Sequence, residues 1–540
     1  MIARVLLLCA LAVGCTGAPQ PSQPSVEGVD KKSGDTLFVS ISLDPDNINP
    51  IVAPYAVSGW LTDLVSPGLV RRAVNDDGLY FEPSLAESWL FSEDGLQLTY
   101  TLREGLLWED GAPLVADDVV FTSQLIADEK VGSNWFGDSL NVANVEALDA
   151  RTVRYTFKEA RNSVLQQGYT MRGILPKHVF EGIPRGSLRS HETSRRPVAS
   201  GPFRVDRWDS NERIILRPNP NAPADWKPNL NAIVFVVQPE STTRKMSLLK
   251  GEVDLEADVE FPDVAEVIDS PNLDVLTLKA EGMMYLGYNL TKPRYQDVRL
   301  RRALTMAVDR EKIIQTQYTH DGVTYAQPCV GTIAPTLGAW YAKDLEPLPF
   351  DPAGAERLLT EAGWVDTDKD GIRDKDGEPL RIIVMLQNGS VTSRDALLMV
   401  QAHWKRVGVA MDIDGMDTTT FADRARAKKF DAMLWGFGAN PKIDLSIKWG
   451  TGERYNWYSY SNPKVDELIA KANRSLDITE AQAAVREAQR IIHEDQAVTF
   501  MLWQDTVIAR SKRFQDADQT TFTPLFHAEK WWVPAGQRKY

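Results

Sequence analysis

Cysteine is scarce in this chain, which has three among its 540 residues. Cys9 and Cys15 belong to an N-terminal segment with the features of a removable signal, so Cys329 stands alone in the rest of the sequence. A single cysteine cannot form an internal disulfide. About 500 residues then have to be held by packing and polar contacts, and that length predicts two or three domains.

Long apolar runs, basic blocks and a nucleotide-binding loop are also missing. After residue 14 there is no run of roughly eighteen apolar residues that could span a bilayer. The net charge of −14, with both signs interspersed, argues against a nucleic-acid partner. The Gly-x-x-x-x-Gly-Lys-Ser/Thr loop is absent, so this chain does not hydrolyse nucleotides by that route.

Signatures of catalysis are equally weak. Gly137-Asp138-Ser139-Leu140 matches the nucleophile block of a serine-esterase family, which also needs an aspartate three residues before a late histidine. None of the six histidines has that aspartate. We therefore predict that the protein is not an enzyme, with an esterase that uses Ser139 as the catalytic alternative.

The chain begins with a secretory signal. Arg4 precedes a short apolar run, 5–13, which ends at Gly14 and Cys15 and is too short for a permanent membrane span. The segment 12–15, Ala-Val-Gly-Cys, resembles the cleavage site of bacterial lipoproteins, in which the cysteine becomes the lipidated N-terminus. An ordinary secretory signal with an incidental cysteine is the alternative interpretation.

This N-terminus predicts where the protein works. We expect residues 1–14 to be removed and residues 15–35 to form a lipidated N-terminus and flexible linker, because the linker has little apolar surface to bury. The protein is then located in the cell envelope, facing the periplasm, and is held at a membrane by lipid on Cys15.

Strand and helix patterns are mixed along the rest of the chain. Residues 36–41 and the alternating segment 96–103 predict strands, and the continuously apolar 233–237 predicts a strand covered on both faces. A helix is predicted behind Asp297 as N-cap, and another near residue 480 with a capping box of Thr479 and Gln482. The mixture predicts an α/β or α+β fold.

An acidic loop suggests a cation site. Asp366, Asp368, Asp370 and Asp374, with Gly371 in sixth position, match the front half of a calcium loop, in which alternate oxygens converge on one hard cation. The twelfth position, however, is glycine and not a bidentate glutamate. A structural calcium and a solvated acidic turn are both open interpretations, and no other cofactor is predicted.

A series of blocks, in a constant order, resembles one protein family. It is the family of solute-binding lipoproteins of ABC importers, in the peptide/nickel class known as family 5, which includes oligopeptide- and dipeptide-binding proteins. The matching blocks lie at residues 85–89, 94–95, 102–105, 108–111, 113–121, 175–178, 197–203, 249–254, 285–289, 297–304, 460–463 and 465–466. They extend over nearly the whole chain after the linker.

The resemblance implies a periplasmic-binding-protein-like fold of type II, with two hinged lobes and an extra inserted domain. The implied divisions are lobe I at 36–72, 195–284 and 500–540, an inserted domain at 73–194, and lobe III at 285–499. The hinge is expected near residues 286–289 and 500–503. Closure of such lobes buries a ligand in the cleft between them.

The resemblance also implies the ligand site. Trp435 and Phe437 lie beside glycines at the end of a predicted strand, which suits the close approach of a ligand. Packing of both side chains in the core is the alternative interpretation. The implied ligand-binding residues are Trp435, Phe437, Asn440, Asp444, Trp449, Asn289 and Tyr285. Where many peptide binders have an aspartate for the ligand's ammonium, this chain has Asn440, so a free-amino peptide requires Asp444 in that role.

These implications define the expected function and partners. The protein captures a peptide-like or other small polar solute and delivers it to an ABC permease, whose ATPase subunits are separate chains. It is expected to be a monomer, with the membrane as a partner through its lipid and no nucleic-acid partner. An oligosaccharide ligand, or a sensory or structural lipoprotein without a transport role, is the alternative.

Overall fold

The computed structural model describes residues 34–53, 56–75, 78–161, 173–438, 443–453, 455–519 and 523–539. The signal segment, the lipidation candidate Cys15 and the ligand candidate Asn440 lie outside these residues. Their predicted roles therefore stay predictions.

Strands occur throughout the described chain. They are β1 Thr36–Ile41, β2 Val70–Asn75, β3 Gly78–Pro83, β4 Ala86–Phe91, β5 Gln97–Leu102, β6 Val142–Ala147, β7 Thr152–Phe157, β8 Phe203–Asp209, β9 Arg213–Pro218, β10 Ala232–Val237, β11 Leu255–Glu256, β12 Leu273–Tyr288, β13 Thr319–His320, β14 Val323–Thr324, β15 Ala326–Pro328, β16 Asp374–Lys375, β17 Glu378–Pro379, β18 Arg381–Gln387, β19 Ala410–Met416, β20 Ala432–Gly438 and β21 Val498–Ser511.

Helices alternate with these strands. They are α1 Ala56–Val65, α2 Ala116–Ala127, α3 Phe136–Ser139, α4 Lys177–Phe180, α5 Glu192–Arg195, α6 Ser241–Leu249, α7 Val264–Ile268, α8 Val298–Met306, α9 Arg310–Gln317, α10 Pro352–Glu361, α11 Val391–Arg406, α12 Thr418–Arg426, α13 Ser446–Trp449, α14 Pro463–Arg474 and α15 Ile478–Asp495. Within the described residues, none of them combines the length and the apolar character needed to cross a membrane.

One large mixed sheet connects the two ends of the molecule. Its strand order is β19-β18-β20-β12-β21-β11-β1-β10-β9-β8, and β15 pairs with β21 outside this path. β12 and β21, of 16 and 14 residues, run antiparallel along most of their length and join the two halves of the sheet. Their pairing is irregular between Leu278 and Gly282 and again between Met284 and Tyr285.

The alternation of side chains in β12 separates two cores. Met284, Leu286 and Tyr288 pack into one cluster with α8 and α11, whereas Met283 and Tyr285 pack into a second cluster on the opposite face. This two-residue period follows from the geometry of a strand, whose successive side chains point to opposite faces. The second face is the one that carries the cavity described below.

A separate antiparallel sheet, β4-β5-β7-β6, forms its own core with α2. Tyr100 and Tyr155 are buried against each other, with ring centroids 6.1 Å apart in an edge-to-face arrangement. Trp108 is also fully buried, and its Nε1 donates to Asp118 near the start of α2, 3.3 Å away. This sheet lies within the segment predicted to be an inserted domain, whose boundaries stay predictions.

Several local predictions are confirmed, and one is wrong. β1, β5 and β10 occur where the apolar patterns predicted strands. Asp297 caps α8 by accepting from the N–H of Arg299. The capping box of Thr479 and Gln482 does not form, because α15 begins two residues earlier with Asp477, whose side chain accepts from the N–H groups of Thr479 and Glu480.

A buried ion cluster connects the ends of the described chain. Arg513, beyond β21, forms ion pairs with Asp35, just before β1, and with Asp254, just before β11. All three side chains are less than a tenth exposed. The cluster therefore holds together strands that are distant in sequence.

We expect Arg513→Met to lower the free energy of unfolding by about 3–5 kcal/mol, because it leaves the buried carboxylate of Asp35 without its counter-charge and that of Asp254 with only Lys539 Nζ, 3.5 Å away. Urea denaturation followed by circular dichroism measures this change. Arg426→Met, which breaks an exposed pair with Asp423, is the control and should cost less than about 1 kcal/mol. Equal effects of the two substitutions would contradict the assigned role of the buried cluster.

Candidate functional site

A cavity of about 680 Å³ lies between two sets of chain segments. One wall is built by residues within 50–53, 59–72 and 523–529, together with Trp135 and Gly173. The other is built by residues within 332–334, 435–436, 444–449 and 455–458 and by the side chains of Tyr285 and Trp503. A volume in the range of roughly 300–1,000 Å³ suits a small-molecule or short-peptide ligand.

Aromatic rings cover the second wall. Trp435 is stacked on Phe421 at a centroid distance of 4.8 Å and contacts Trp457 at 5.2 Å. Tyr455, which is 46% exposed, continues the series at 6.1 Å from Trp457. Phe421 anchors this series in the core, so the wall offers rigid aromatic surface to a guest at a small entropic cost.

A glycine allows this wall to lie against the sheet. Gly436 borders the cavity beside Trp435, and a Cβ atom at this position would be only 2.8 Å from the carbonyl oxygen of Met283. A side chain cannot be accommodated there without moving the neighbouring strand. Close packing of the neighbouring backbone therefore requires glycine at position 436. The missing side chain also leaves space for a ligand.

Trp449 is buried at the base of the same wall. It is 1% exposed, and its Nε1 donates to Thr332 Oγ1 at 2.7 Å. Its ring lies 5.1 Å from Tyr458, which in turn makes an edge-to-face contact with Tyr285 at 6.1 Å. The Tyr458 hydroxyl donates to the carbonyl oxygen of Lys448. These contacts fix the short helix α13 against the sheet.

An ion cluster belongs to the first wall. His527 Nδ1 lies 3.0 Å from Glu529, and its Nε2 lies 3.1 Å from Glu82. Arg71 Nη1 lies 2.7 Å from the same Nδ1 and 3.4 Å from Glu529. Arg71, His527 and Glu529 all border the cavity. The C-terminal segment is thereby joined to the β2–β3 hairpin at the ligand site.

The pKa values within this cluster shift in opposite directions. Burial lowers the pKa of His527, but hydrogen bonds to Glu529 and Glu82 outweigh burial and raise it above its usual value. Burial raises the pKa of Glu529, but His527 and Arg71 outweigh it and lower that pKa to about 2. The two carboxylates therefore favour the protonated imidazole of His527 more than water does.

Further charges lie on both walls. On the first wall, burial lowers the pKa of Arg72, and the nearby charge of Asp63 opposes that shift. On the second wall, burial lowers the pKa of Lys448 to about 7. Lys448 keeps partial accessibility because it borders the cavity, while the surrounding protein removes most of the water around its amine. Near neutral pH the protonated and the neutral form of this amine are therefore both populated.

Asp444 uses one of its two carboxylate oxygens for hydrogen bonds within the protein. Its Oδ1 accepts from the N–H of Ser446 at 2.8 Å and from Asn473 at 3.0 Å, which fixes the side chain at the cavity border. Among the described residues, these two bonds leave Oδ2 without a hydrogen-bond donor. A carboxylate held in this way can accept a hydrogen bond from a ligand.

Four of the seven ligand residues predicted from the sequence line the cavity. Tyr285, Trp435, Asp444 and Trp449 border the cavity, and their role in ligand binding stays a prediction. The backbone of Phe437 pairs with Met283 in the sheet, whereas its side chain, like the whole of Asn440, lies outside the described part of the structure.

Asn289 does not border the cavity, and its prediction as a ligand residue is wrong. Its amide nitrogen donates to the carbonyl oxygens of Lys428 and Phe430, and its side-chain oxygen accepts from Thr291. The side chain is 1% exposed. Its hydrogen-bonding capacity is consumed by loop backbone, so its role is to fix the chain beyond β12.

Sequence reasoning missed the charged residues of the cavity. Arg71, Arg72, Lys448 and His527 come from segments that are up to 456 positions apart. Each is flanked by residues of ordinary composition, and none belongs to a recognisable motif. The only available signal was that Lys448 immediately precedes Trp449 in a segment already predicted to border the ligand.

The acidic loop brings together part of the predicted calcium set. Carboxylate oxygens of Asp366, Asp368 and Asp374 lie within 4.8 Å of one another, without Asp370. Asp370 instead accepts from the N–H of Ile372, and Asp374 accepts from Thr367. These local bonds also suit a solvated acidic turn, so the calcium site stays a prediction.

The esterase alternative has no support in the geometry at Ser139. Its side chain is 8% exposed, and its hydroxyl donates to the carbonyl oxygen of Phe136 at 2.7 Å. A nucleophilic serine needs a base within hydrogen-bonding distance. The hydroxyl of Ser139 is hydrogen-bonded to the backbone of its own short helix instead.

The sequence pattern described as "Bacterial extracellular solute-binding proteins, family 5 Middle" matches residues 81–471. The match includes the second wall of the cavity apart from Trp503, and the segment with the Trp108 block. The chain belongs to this family. It is a family 5 solute-binding protein of ABC importers, as its sequence blocks predicted, and characterised relatives bind peptides or nickel.

Relatives are similar over most of their length. The oligopeptide-binding protein AppA of Bacillus subtilis (strain 168) is 26% identical over 546 residues, covering 99% of this chain and 98% of AppA. A dipeptide-binding protein of Pseudomonas aeruginosa is 25% identical, covering 81% and 84%. The nickel-binding periplasmic protein of Escherichia coli (strain K12) is 25% identical, covering 76% and 79%.

Solved structures of the family share the fold. AppA from Bacillus subtilis in complex with a nonapeptide superposes with a TM-score of 0.83 and 25% identity, over 93% of this chain and 99% of AppA. NikZ from Campylobacter jejuni in complex with Ni(L-His) gives a TM-score of 0.81 and 23% identity, over 92% and 99%. The predicted mixed α/β fold of the type II periplasmic-binding-protein class is thereby confirmed.

We expect His527 to make the stability of this family 5 protein depend on pH. Since the folded state raises its pKa, its stabilisation is complete below the unfolded value of about 6.5 and is lost as pH rises through the higher folded value. The difference in unfolding free energy between wild type and His527→Gln should therefore shrink as pH rises above the unfolded value and through the higher folded one. Chemical denaturation at a series of pH values measures it.

His403→Gln is the matched control for this titration. Burial lowers the pKa of His403, so the contribution of this histidine to stability should grow as pH rises through its unfolded value, which is the opposite sign. Parallel pH profiles for wild type and His527→Gln would show that the ion cluster does not act as described.

Proposed function

We propose that this protein is a lipid-anchored receptor that captures a peptide-like or other small polar solute and delivers it to an ABC permease. The observation that carries the proposal is the cavity, which combines rigid aromatic rings with a few polar groups on two walls built by different chain segments. Binding sites of this composition take small solutes and orient them through few polar contacts. The relatives named for peptide binding support the same solute class.

The ligand would be enclosed by movement of the two walls. β12 and β21 connect the halves of the molecule, and their pairing is irregular at residues 278–285, next to the cavity-lining Tyr285. Irregular pairing lowers the cost of bending a sheet at that point. A solute shifts such an equilibrium only by its differential affinity for the closed arrangement.

Asp444 would hold the ammonium group of a peptide. Its Oδ1 is fixed by Ser446 and Asn473, and its Oδ2 is available at the cavity border. The other carboxylates of the cavity have cationic neighbours within the protein: Glu529 pairs with His527 and Arg71, and Asp63 lies near Arg72. Asp444 therefore replaces the family aspartate, whose place corresponds to Asn440 in this chain.

An oligosaccharide is the second candidate ligand. Trp435, Trp457 and Tyr455 form a continuous aromatic surface on which sugar rings could stack. The two candidates differ in charge, because a peptide brings an ammonium and a carboxylate, whereas a neutral sugar brings neither. Asp444 and Lys448 on the same wall favour the charged ligand.

The remaining parts of the proposal concern location and partners. Lipid on Cys15 and the linker to residue 35 would hold the binding protein at the membrane as a monomer, facing the periplasm. The permease and its ATPase subunits would be separate chains, and the protein itself would make no covalent change to its solute. A sensory lipoprotein that binds the same solute would differ by failing to stimulate a permease.

Native mass spectrometry of the soluble protein, without residues 1–33, tests the proposed ligand class. After incubation with an equimolar tripeptide pool and a pool of linear oligosaccharides, we expect retention of peptide masses. Small-angle X-ray scattering of the same samples should show a decrease in the radius of gyration. Retention of saccharides alone would overturn the peptide assignment. Retention of neither, with no compaction, would overturn the proposed function.

We expect Asp444→Asn to weaken binding of trialanine by about 10- to 100-fold, since a charge-assisted hydrogen bond is lost. The amide of asparagine still accepts from Ser446, so the fold around the site is kept. N-acetyltrialanine, which has no ammonium, is the matched ligand and should bind wild type and variant equally. Isothermal titration at pH 7 measures both, and equal loss for the two ligands would contradict the ammonium role.

A further inference from the structure

Trp503 differs from every other fully buried tryptophan in the described structure. Five tryptophans are less than 2% exposed, and four of them donate their indole N–H to an acceptor inside the protein. The pairs are Trp108 with Asp118 at 3.3 Å, Trp404 with the Leu304 carbonyl at 3.0 Å, Trp449 with Thr332 at 2.7 Å and Trp531 with the Phe526 carbonyl at 3.0 Å. Nε1 of Trp503 is buried and has no hydrogen-bond partner.

The position of Trp503 makes this missing bond informative. Several buried polar atoms elsewhere in the described chain lack a partner, but among the described residues that border the cavity only Trp503 has such an atom. A buried N–H without an acceptor is costly to a folded protein, and indole nitrogen can act only as a donor. An acceptor supplied by a ligand would remove that cost.

We propose that Trp503 is a ligand-binding residue, whose indole N–H donates to a carbonyl or carboxylate oxygen of the bound solute. The inference rests on the proposed function and deepens it, because it names the protein group that binds an oxygen of the peptide on the sheet side of the cavity. A peptide has such an oxygen at every residue and at its C-terminus.

The surroundings of Trp503 allow the indole to reach this oxygen. Trp503 lies in β21 between Met283 of β12 and Gln327 of β15, and both neighbours have unbranched, flexible side chains. Methionine in particular repacks easily around a moving neighbour. The adjacent irregularity in pairing, between Met284 and Tyr285, gives the strands freedom at the same place. A small rotation of the indole ring would then bring its buried nitrogen into contact with the ligand.

The resulting bond would couple solute capture to the connecting strands. β21 continues from the cavity into the half of the sheet that contains β11 and β1. A solute held by Trp503 on this strand and by Asp444 on the aromatic wall contacts two different elements at once. Both contacts together would select a guest with an ammonium at one end and an acceptor oxygen at a fixed distance from it.

Trp503→Phe tests the inference, with Trp404→Phe as the control. Both tryptophans are less than 2% exposed, but Trp404 already has an acceptor within the protein, the Leu304 carbonyl oxygen, and it does not border the cavity. The probe is the tripeptide pool, followed by titration with its tightest-binding member. We expect about tenfold weaker binding by Trp503→Phe. Both substitutions shorten a buried ring and should lower the stability of the free protein, but Trp404→Phe should leave the affinity of the folded protein for the peptide unchanged.

A second variant separates the N–H from the ring volume. Replacement of Trp503 by 3-benzothienylalanine, introduced at that codon, keeps the ring and removes only the donor. It should reproduce the loss of affinity seen for Trp503→Phe. Unchanged affinity in this variant, with the wild type binding the pool, overturns this inference and leaves the proposed function standing. A wild type that retains no peptide overturns the proposed function and this inference together.

Discussion

The antiparallel pairing of β12 with β21 is the constraint on which the rest of the structure depends. These two strands are long enough to belong to both halves of the large sheet, and the other strands are added on either side of them. The alternation of β12 places Leu286 in one core and Tyr285 at the cavity. A shift of pairing by one residue would exchange these faces and remove the cavity wall. The ligand site is therefore a consequence of strand register.

The chemistry of the cavity follows from how its polar groups are paired. Glu529, His527 and Arg71 satisfy one another, so they give the first wall rigidity. On the second wall the aromatic series from Phe421 to Tyr455 is held by ring contacts and offers apolar area. Few groups are then available to orient a guest, which is how a small site combines affinity with selectivity.

The accuracy of the sequence analysis varied with the range of the interactions involved. β1, β10 and the cap at Asp297 were predictable because apolar alternation and a capping carboxylate act within a few residues. The start of α15 was missed because Asp477 and Thr479 are both good caps, and only the backbone path decides between them. The amide of Asn289 was misassigned because sequence does not show which backbone carbonyls lie beside it.

The sequence by itself determined the class of fold, the family and the aromatic segment that became the second wall, because these depend on local periodicity and on blocks of contiguous residues. Tertiary structure alone decided which charges meet at the cavity. Arg71 and His527 are 456 positions apart, and only the packing of the C-terminal segment against the β2–β3 hairpin brings their side chains together. It also decided that Trp449 finds an acceptor and Trp503 does not, because that difference depends on where segments distant in sequence place their oxygen atoms.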